Sequence, residues 1–329
     1  VWRWVVVTGA IVVLAIGAVL VPLPFFFAYL PGPVRSVEGL VRIDNAPTYS
    51  SEGRLLLTTV SVDTEVTLLE VIASQFDADK EVVPREAVTG GGSLEDLQRQ
   101  QRQEMADSKL QAEIVALRAL GLGGPSGDGA RVTATVPGSS AAKLLEPGDV
   151  IVAIAGRAVN TTCDVSSLLD GYAVGDEVEL TVVRGGVERD LDIRLAQDPR
   201  AAPGSPAIGV YIRTLNETYE SDIRVEIDTG RIAGPSAGLM ISLALYDRLT
   251  PDDLTHGRTI AGTGEIECDG EVVPIGGVEQ KVAGAERAGA EIFFAPIANV
   301  EAARRAADEI VVVSIGSFED ALTYLEQLD

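Results

Sequence analysis

Residues 234–249 read GPSAGLMISLALYDRL, and residues 262–287 read GTGEIECDGEVVPIGGVEQKVAGAER. In the first stretch a proline at the opening turn precedes an apolar helix, which predicts Ser236 at a helix N-terminus. Free backbone N–H groups and the positive end of the helix dipole favour an oxyanion there. A serine at a helix start is ordinarily no more than a cap. The second stretch reads as a strand from Gly262, a tight turn at Asp269-Gly270, a second strand, and a helix after Gly277. On that helix Val278, Val282 and Ala285 form an apolar stripe, and Lys281 falls on the same side. Burial disfavours a charged amine, so a lysine there loses its proton more readily than one in water. The competing reading is a lysine whose stem lies on apolar surface while its amine stays wet. Residue usage favours the buried reading: the chain has 22 Arg and four Lys, and Lys281 is the only lysine after Lys143.

The rest of the chain sets the boundaries. Its 329 residues suffice for about two domains. A net charge of −23 repels a phosphate backbone, which argues against nucleic acid as a partner. One His and two Cys exclude a disulfide framework and a Cys/His zinc site, and they leave almost no room for a Ser-His-Asp triad. No metal or cofactor is expected. His256, in Leu254-Thr-His-Gly257, reads as a loop residue. Cys163 and Cys268 fall in different expected domains and read as two separate small apolar fillers with no bridge between them.

From Val5 to Leu30 no residue is charged. A membrane-spanning helix needs about 20 such residues. A cleaved signal peptide has a shorter core than this. The stretch ends in LPFFFAYLPGP, which suits an uncleaved anchor with aromatic rings at headgroup level. Residues 1–34 are thus expected to form an N-terminal transmembrane helix, ended near Val21 by Pro22 and Pro24. Arg3 favours an N-terminus in the cytoplasm. The bulk of the chain is then expected outside the cytoplasm, on a single-pass membrane protein.

After the anchor, Gly53 to Val62 reads as a strand and Thr89 to Ser93 as a breaker. A helix follows, with Ser93 and Asp96 resembling a cap. Leu110, Ile114, Leu117 and Leu120 recur on it at helical spacing. Gly121 to Gly129 is a joint, residues 130–195 alternate short strands with turns, and Asp198 to Pro206 is a second joint.

Val132 to Asn160, VTATVPGSSAAKLLEPGDVIVAIAGRAVN, resembles a bacterial PDZ domain, as does the hairpin formed by Val178 to Arg184 with Gly185-Gly186. The resemblance spans residues 121–199. It implies a small β-barrel-like module that adds an extended peptide to a sheet edge. Leu120 to Gly124 reads either as the Gly-rich loop that holds a peptide carboxylate or as a helix stop followed by a linker.

The segments GPSAG, TGEI and PIGG, with Lys281 and the AGAERAGA that follows, together resemble the proteolytic domain of Lon-type serine proteases, here over residues 207–329. The resemblance implies Ser236 as nucleophile, Lys281 as general base, and Thr263 as a hydroxyl partner orienting the amine. One departure is Ala233, where many such domains carry an acidic residue. Another is the lack of a GxxxxGK[ST] phosphate loop anywhere in the chain, so no ATP-driven motor is expected within it. Residues 35–120 resemble the N-terminal part of the same domain, with the PDZ module inserted in it; the rival arrangement is beads on a string, with residues 35–120 as a separate stalk.

The expected fold is therefore α+β: an N-terminal transmembrane helix, a Lon-type α+β domain, and a PDZ domain within it. The whole layout resembles a membrane-anchored bacterial family of Gram-positive lineages, and the Arg-rich, Lys-poor usage suits an actinobacterium. The function expected is a serine endopeptidase cleaving unfolded or exposed polypeptide, with a tendency to form homo-oligomeric rings. The alternative is a non-catalytic membrane-anchored adaptor that binds peptide tails.

Overall fold

The computed structural model describes residues 21–77, 79–169, 171–197, 204–216 and 218–328. The chain first forms β1 (Phe26–Pro31), β2 (Arg35–Ser36), β3 (Val41–Asp44), β4 (Arg54–Leu57) and β5 (Val60–Asp63). Next come α1 (Leu68–Ala73), β6 (Glu81–Pro84), α2 (Arg85–Thr89) and the long α3 (Leu94–Ala119). Ser93 caps α3, its Oγ accepting from Asp96 N–H.

The uncharged N-terminal run divides. Residues 1–20 lie outside the described residues. Its second part enters β1, which pairs with β5 and β6 and buries Phe27 and Ala28. Pro22 and Pro24 keep this part out of a helix, and the two neighbouring strands satisfy its backbone groups instead. Among the described residues no helix is long and apolar enough to cross a membrane. The expected architecture is corrected on this point: the fold is a mixed α/β one, without support for an N-terminal transmembrane helix.

Past α3, a short strand β7 (Gly124–Ser126) leads into a separate antiparallel sheet. It contains β8 (Ala130–Thr135), β9 (Val150–Ile154) with β10 (Arg157–Ala158), β11 (Glu177–Arg184) and β12 (Val187–Arg194). Helices α4 (Ala141–Leu144) and α5 (Thr162–Leu169) interrupt it. Gly185 and Gly186, both at positive φ, make the tight turn between β11 and β12. After a minor pair, β13 (Ala196–Gln197) and β14 (Pro206–Ala207), strand β15 (Val210–Thr214) closes the order β12-β11-β9-β8-β15. Ile151, Ile154, Leu180, Val182 and Ile193 form the core of this middle domain, with Val165, Leu168 and Leu169 of α5 packed among them.

Both ends of the middle domain lie side by side. Ala130 at the start of β8 pairs with Thr214 at the end of β15. Beyond them β7 pairs with β16 (Thr218–Glu220), so entry and exit form a two-stranded ribbon. Leu120 to Gly124 is a helix stop. Gly121 is left-handed, Gly121 N–H donates to Arg118 O, and Leu122 N–H donates to Leu117 O.

The chain then returns through β17 (Arg224–Ile227), which pairs with β3, and α6 (Gly238–Leu249). It continues through β18 (Thr259–Gly262), β19 (Glu265–Ile266), β20 (Val272–Val273) and α7 (Val278–Arg287). The last elements are β21 (Ile292–Pro296), α8 (Val300–Ala306), β22 (Val311–Ile315) and α9 (Phe318–Glu326). The main sheet runs β2-β4-β18-β21-β22, parallel except for β2 at its edge. Strands β4 and β18 are neighbours in it although the whole middle domain separates them in sequence.

Helices cover both faces of this sheet, which is why β21 (IFFAP) is buried along its whole length. On one face Leu55, Leu57, Ile260 and Phe294 meet α3, α6 and α9. On the other Leu56, Ala261 and Phe293 meet α7 and α8. Each buried Leu or Phe is worth roughly 1.5–3 kcal/mol. On α3 the stripe differs from the expected one. Ile114 and Leu117 are buried, but Leu110 is 44% exposed, and Met105, Ser108 and Ala112 face the core instead. The small side chains of Ser108 and Ala112 let α3 approach α6 closely.

A second correction concerns the cysteines. Cys163 in α5 and Cys268 between β19 and β20 form a disulfide, with Cα atoms 5.3 Å apart. Their separation of 105 residues and their different domains are no obstacle, because α3 and the ribbon bring α5 against the β19–β20 hairpin. Arg118 at the end of α3 sits between them. Its Nη1 donates to Cys268 O, and its Nη2 lies 3.8 Å from Asp164, the neighbour of Cys163.

Candidate active site

Three chain segments converge at the head of α6. Ser236 lies two residues before the first helical residue, in a turn opened by the left-handed Gly234. Pro235 therefore stands just outside α6 and not in its first turn. The turn is held from two sides. From α3, Gln101 O accepts Gly234 N–H and Ser108 Oγ donates to Pro235 O at 2.7 Å. From the hairpin, Gly264 N–H and Thr263 Oγ1 both donate to Ser236 O, at 2.9 and 3.1 Å.

Lys281 arrives from the opposite side on the first turn of α7, which the left-handed Gly277 starts. Its side chain is buried, with Nζ 2.8 Å from Ser236 Oγ and 3.0 Å from Thr263 Oγ1. Among the described residues no carboxylate forms an ion pair with it. Burial alone pulls its pKa down to about 7. Near neutrality a large share of the amine is thus uncharged and carries a lone pair.

Hydrogen-bond counting then limits how that amine can be oriented. Thr263 spends its proton on Ser236 O, so toward Lys281 it can only accept. One amine N–H is committed to Thr263, which leaves the neutral amine one further N–H and its lone pair, and rotation can present either to the Ser236 hydroxyl 2.8 Å away. Among the described residues the backbone N–H groups of Ser236 and Ala237 have no acceptor within the chain. They stand at the positive end of α6, where a developing oxyanion is stabilised.

The structure thus brings together Ser236, Lys281 and Thr263. It leaves His256 exposed on the 253–258 loop at positive φ. Among the described residues no group of three or more His, Cys, Asp or Glu side chains is placed to hold a metal ion. Two supports of the site went unread in the sequence: Ser108 and the backbone of Gln101. A buried serine on an otherwise amphipathic helix is the one available signal for the first. The last glycine of GPSAG has a packing reason, since a Cβ at Gly238 would lie 2.8 Å from Ile266 Cγ2 and 2.9 Å from Ser108 Oγ.

Residues 210–313 match the Lon protease (S16) C-terminal proteolytic domain, and residues 99–195 match a PDZ domain. The PDZ match begins inside α3, which packs against α6; the separate sheet itself begins only at Ala130 and runs to Thr214. Lon protease 2 of Thermus thermophilus is 45% identical over 87 residues, 26% of this chain and 11% of that protein. Lon protease 2 of Bacillus subtilis is 32% identical over 113 residues, 34% of this chain and 20% of that protein. The chain thus spans only about a tenth to a fifth of the length of these curated relatives. The crystal structure of the PDZ domain of an SdrC-like protein from Listeria monocytogenes is 29% identical and covers 26% of this chain and 87% of that one. Its TM-score is 0.24, too low to bear on the fold as a whole.

Proposed function

We propose that this chain hydrolyses peptide bonds with Ser236 as nucleophile, Lys281 as general base, and Thr263 holding the amine in register. The observation that carries this reading is the buried Lys281 Nζ 2.8 Å from Ser236 Oγ. Neutral Lys281 takes the hydroxyl proton as Oγ bonds to the peptide carbonyl carbon. The oxyanion rests on the N–H groups of Ser236 and Ala237. As the C–N bond breaks, the leaving amine takes the proton back from Lys281, and an ester to Ser236 remains. Water then attacks the ester, giving its proton to Lys281, and the acid product leaves as Oγ is reprotonated.

The substrates proposed are unfolded chains or exposed tails, captured by the middle domain. Strand β15 is the outer strand of its sheet and has α5 packed beside it, and such an edge can accept an extended peptide as an added strand. The module boundaries proposed follow the strand pairing, with residues 130–214 as peptide binder and the flanking segments together as the proteolytic body. We place the working compartment outside the cytoplasm on the strength of the Cys163–Cys268 bridge, since disulfides persist in oxidising surroundings.

The test is to incubate the protein with an unfolded polypeptide without ATP, beside Ser236→Ala and Lys281→Ala. Cleavage by the parent alone is expected. Equal cleavage by all three assigns the activity to a contaminant, and cleavage by none favours the tail-binding adaptor.

A further inference from the structure

The Cys163–Cys268 bridge joins the two functional parts of the molecule at a particular place. Cys163 opens α5, the helix beside the β15 edge. Cys268 lies five residues beyond Thr263, at the tip of the hairpin that holds the Ser236 turn. Without the bridge the two ends would behave differently. The hairpin keeps other anchors: Val272 N–H donates to Gly316 O, Phe318 N–H to Gly270 O, and Glu271 bridges to Ser317. Its base stays bonded to Ser236 O through Gly264 and Thr263. Of the links the described residues show, the middle domain, in contrast, would keep the short β7–β16 ribbon and the Arg118–Asp164 contact, whose 3.8 Å separation is long for an ion pair.

We infer that this disulfide is a redox-controlled clamp that fixes the tail-binding edge of the middle domain relative to Ser236, and that its reduction disconnects tail capture from cleavage while leaving the catalytic groups intact. This inference rests on the reading of the chain as a protease with a tail-binding module. With the clamp closed, a tail on β15 is held at a set distance from Ser236, so cutting it is an intramolecular event with a high effective concentration. With the clamp open, the domain pivots on its ribbon and that advantage falls. The reductant is a dithiol, such as a thioredoxin-like protein. Its thiolate attacks the half-buried Cys268 Sγ and expels the Cys163 thiolate, which takes up a proton. Its second thiol then displaces Cys268, so the reductant becomes the disulfide and two cysteine thiols remain.

The experiment uses the full chain in three forms: oxidised, reduced with dithiothreitol and with thiols counted, and the double variant Cys163→Ser/Cys268→Ser. Each is assayed on a short quenched peptide, which needs only the catalytic groups, and on a long unfolded polypeptide with a free C-terminus. Short-peptide kcat/KM should be the same in all three. For the polypeptide, reduction should raise KM about five-fold or more, reoxidation should reverse it, and the double variant should match the reduced form and ignore dithiothreitol. Unchanged polypeptide kinetics with two free thiols overturns the inference, and so does a parallel loss on the short peptide. Hydrogen exchange at residues 124–126 and 218–220 reads the clamp without any enzyme activity: faster exchange after reduction is expected, and equal exchange sinks the clamp. Absence of hydrolysis by every form removes the protease reading instead, and the exchange result still decides the clamp.

Discussion

Thr263 Oγ1 accepts from Lys281 Nζ at 3.0 Å while giving its own proton to the carbonyl of Ser236. One hydroxyl therefore ties the base to the turn that carries the nucleophile and holds the amine beside Ser236 Oγ. Thr263→Val removes that tie with little change of shape. A fall in kcat of about 100-fold with KM nearly unchanged is expected, because misaligned reacting groups cost rate more than binding. Thr263→Ser should keep most of the activity, and equal loss in both variants would refute the orienting role.

The pH dependence follows from the burial of Lys281, whose pKa is lowered to about 7. The active form is the neutral amine, so kcat/KM should rise with pH through about 7 and level off above it. A profile rising only near 10, where an exposed lysine titrates, would mean a hydrated amine.

Stability carries the same signature with a definite sign. Lys281 ionises near 7 in the folded chain and near 10.4 when unfolded. Between those values the unfolded chain binds the extra proton, so stability rises with pH across this window. The penalty of burying the amine is full below about 7 and gone above about 10.4. Lys281→Met escapes it, so its stability advantage over the parent should narrow from pH 7 to pH 10, read as urea midpoints. A gap that stays constant over that range would contradict a neutral buried lysine.

Ser108 is buried on the facing helix and donates to Pro235 O at 2.7 Å. Ser108→Ala should cost about 1 kcal/mol of stability. It should also lower kcat several-fold by loosening the Ser236 turn, with the pH inflection of Lys281 unmoved. A shifted inflection would instead indicate that water reaches the amine.

Gly238 has no room for a side chain between Ile266 and Ser108. Gly238→Ala forces α6 away from the hairpin, and a stability loss of about 1–3 kcal/mol is expected together with reduced turnover. Thermal unfolding of the variant beside the parent checks it, and an unchanged midpoint would show that the backbone yields without strain.

How far the sequence reading reached depended on the range of the interaction. Ser236 and Lys281 stand out because each sits where local chain chemistry marks a position, a Gly-Pro turn before an apolar helix and a glycine-started helix, whereas Thr263 comes only from the resemblance carried by the TGEI segment. Leu110 misled because spacing alone ranks large apolar residues as core, whereas the α3–α6 contact is close and selects Ser108 and Ala112. The aromatic run at residues 25–29 was as apolar as a membrane segment, and only its pairing with β5 and β6 shows it as a strand.

From the chain alone came the alternation of strands and helices, the hairpin turn at Gly185-Gly186, and Ser236 and Lys281 as candidate site residues. These rest on contacts within a few residues, where the order of side chains is itself the geometry. The depth at which Lys281 is buried, the hydrogen bond that aims it, and the bridge between Cys163 and Cys268 belong to tertiary structure. Each requires segments far apart in sequence to meet at ångström precision, and one-dimensional order carries no distance across such gaps.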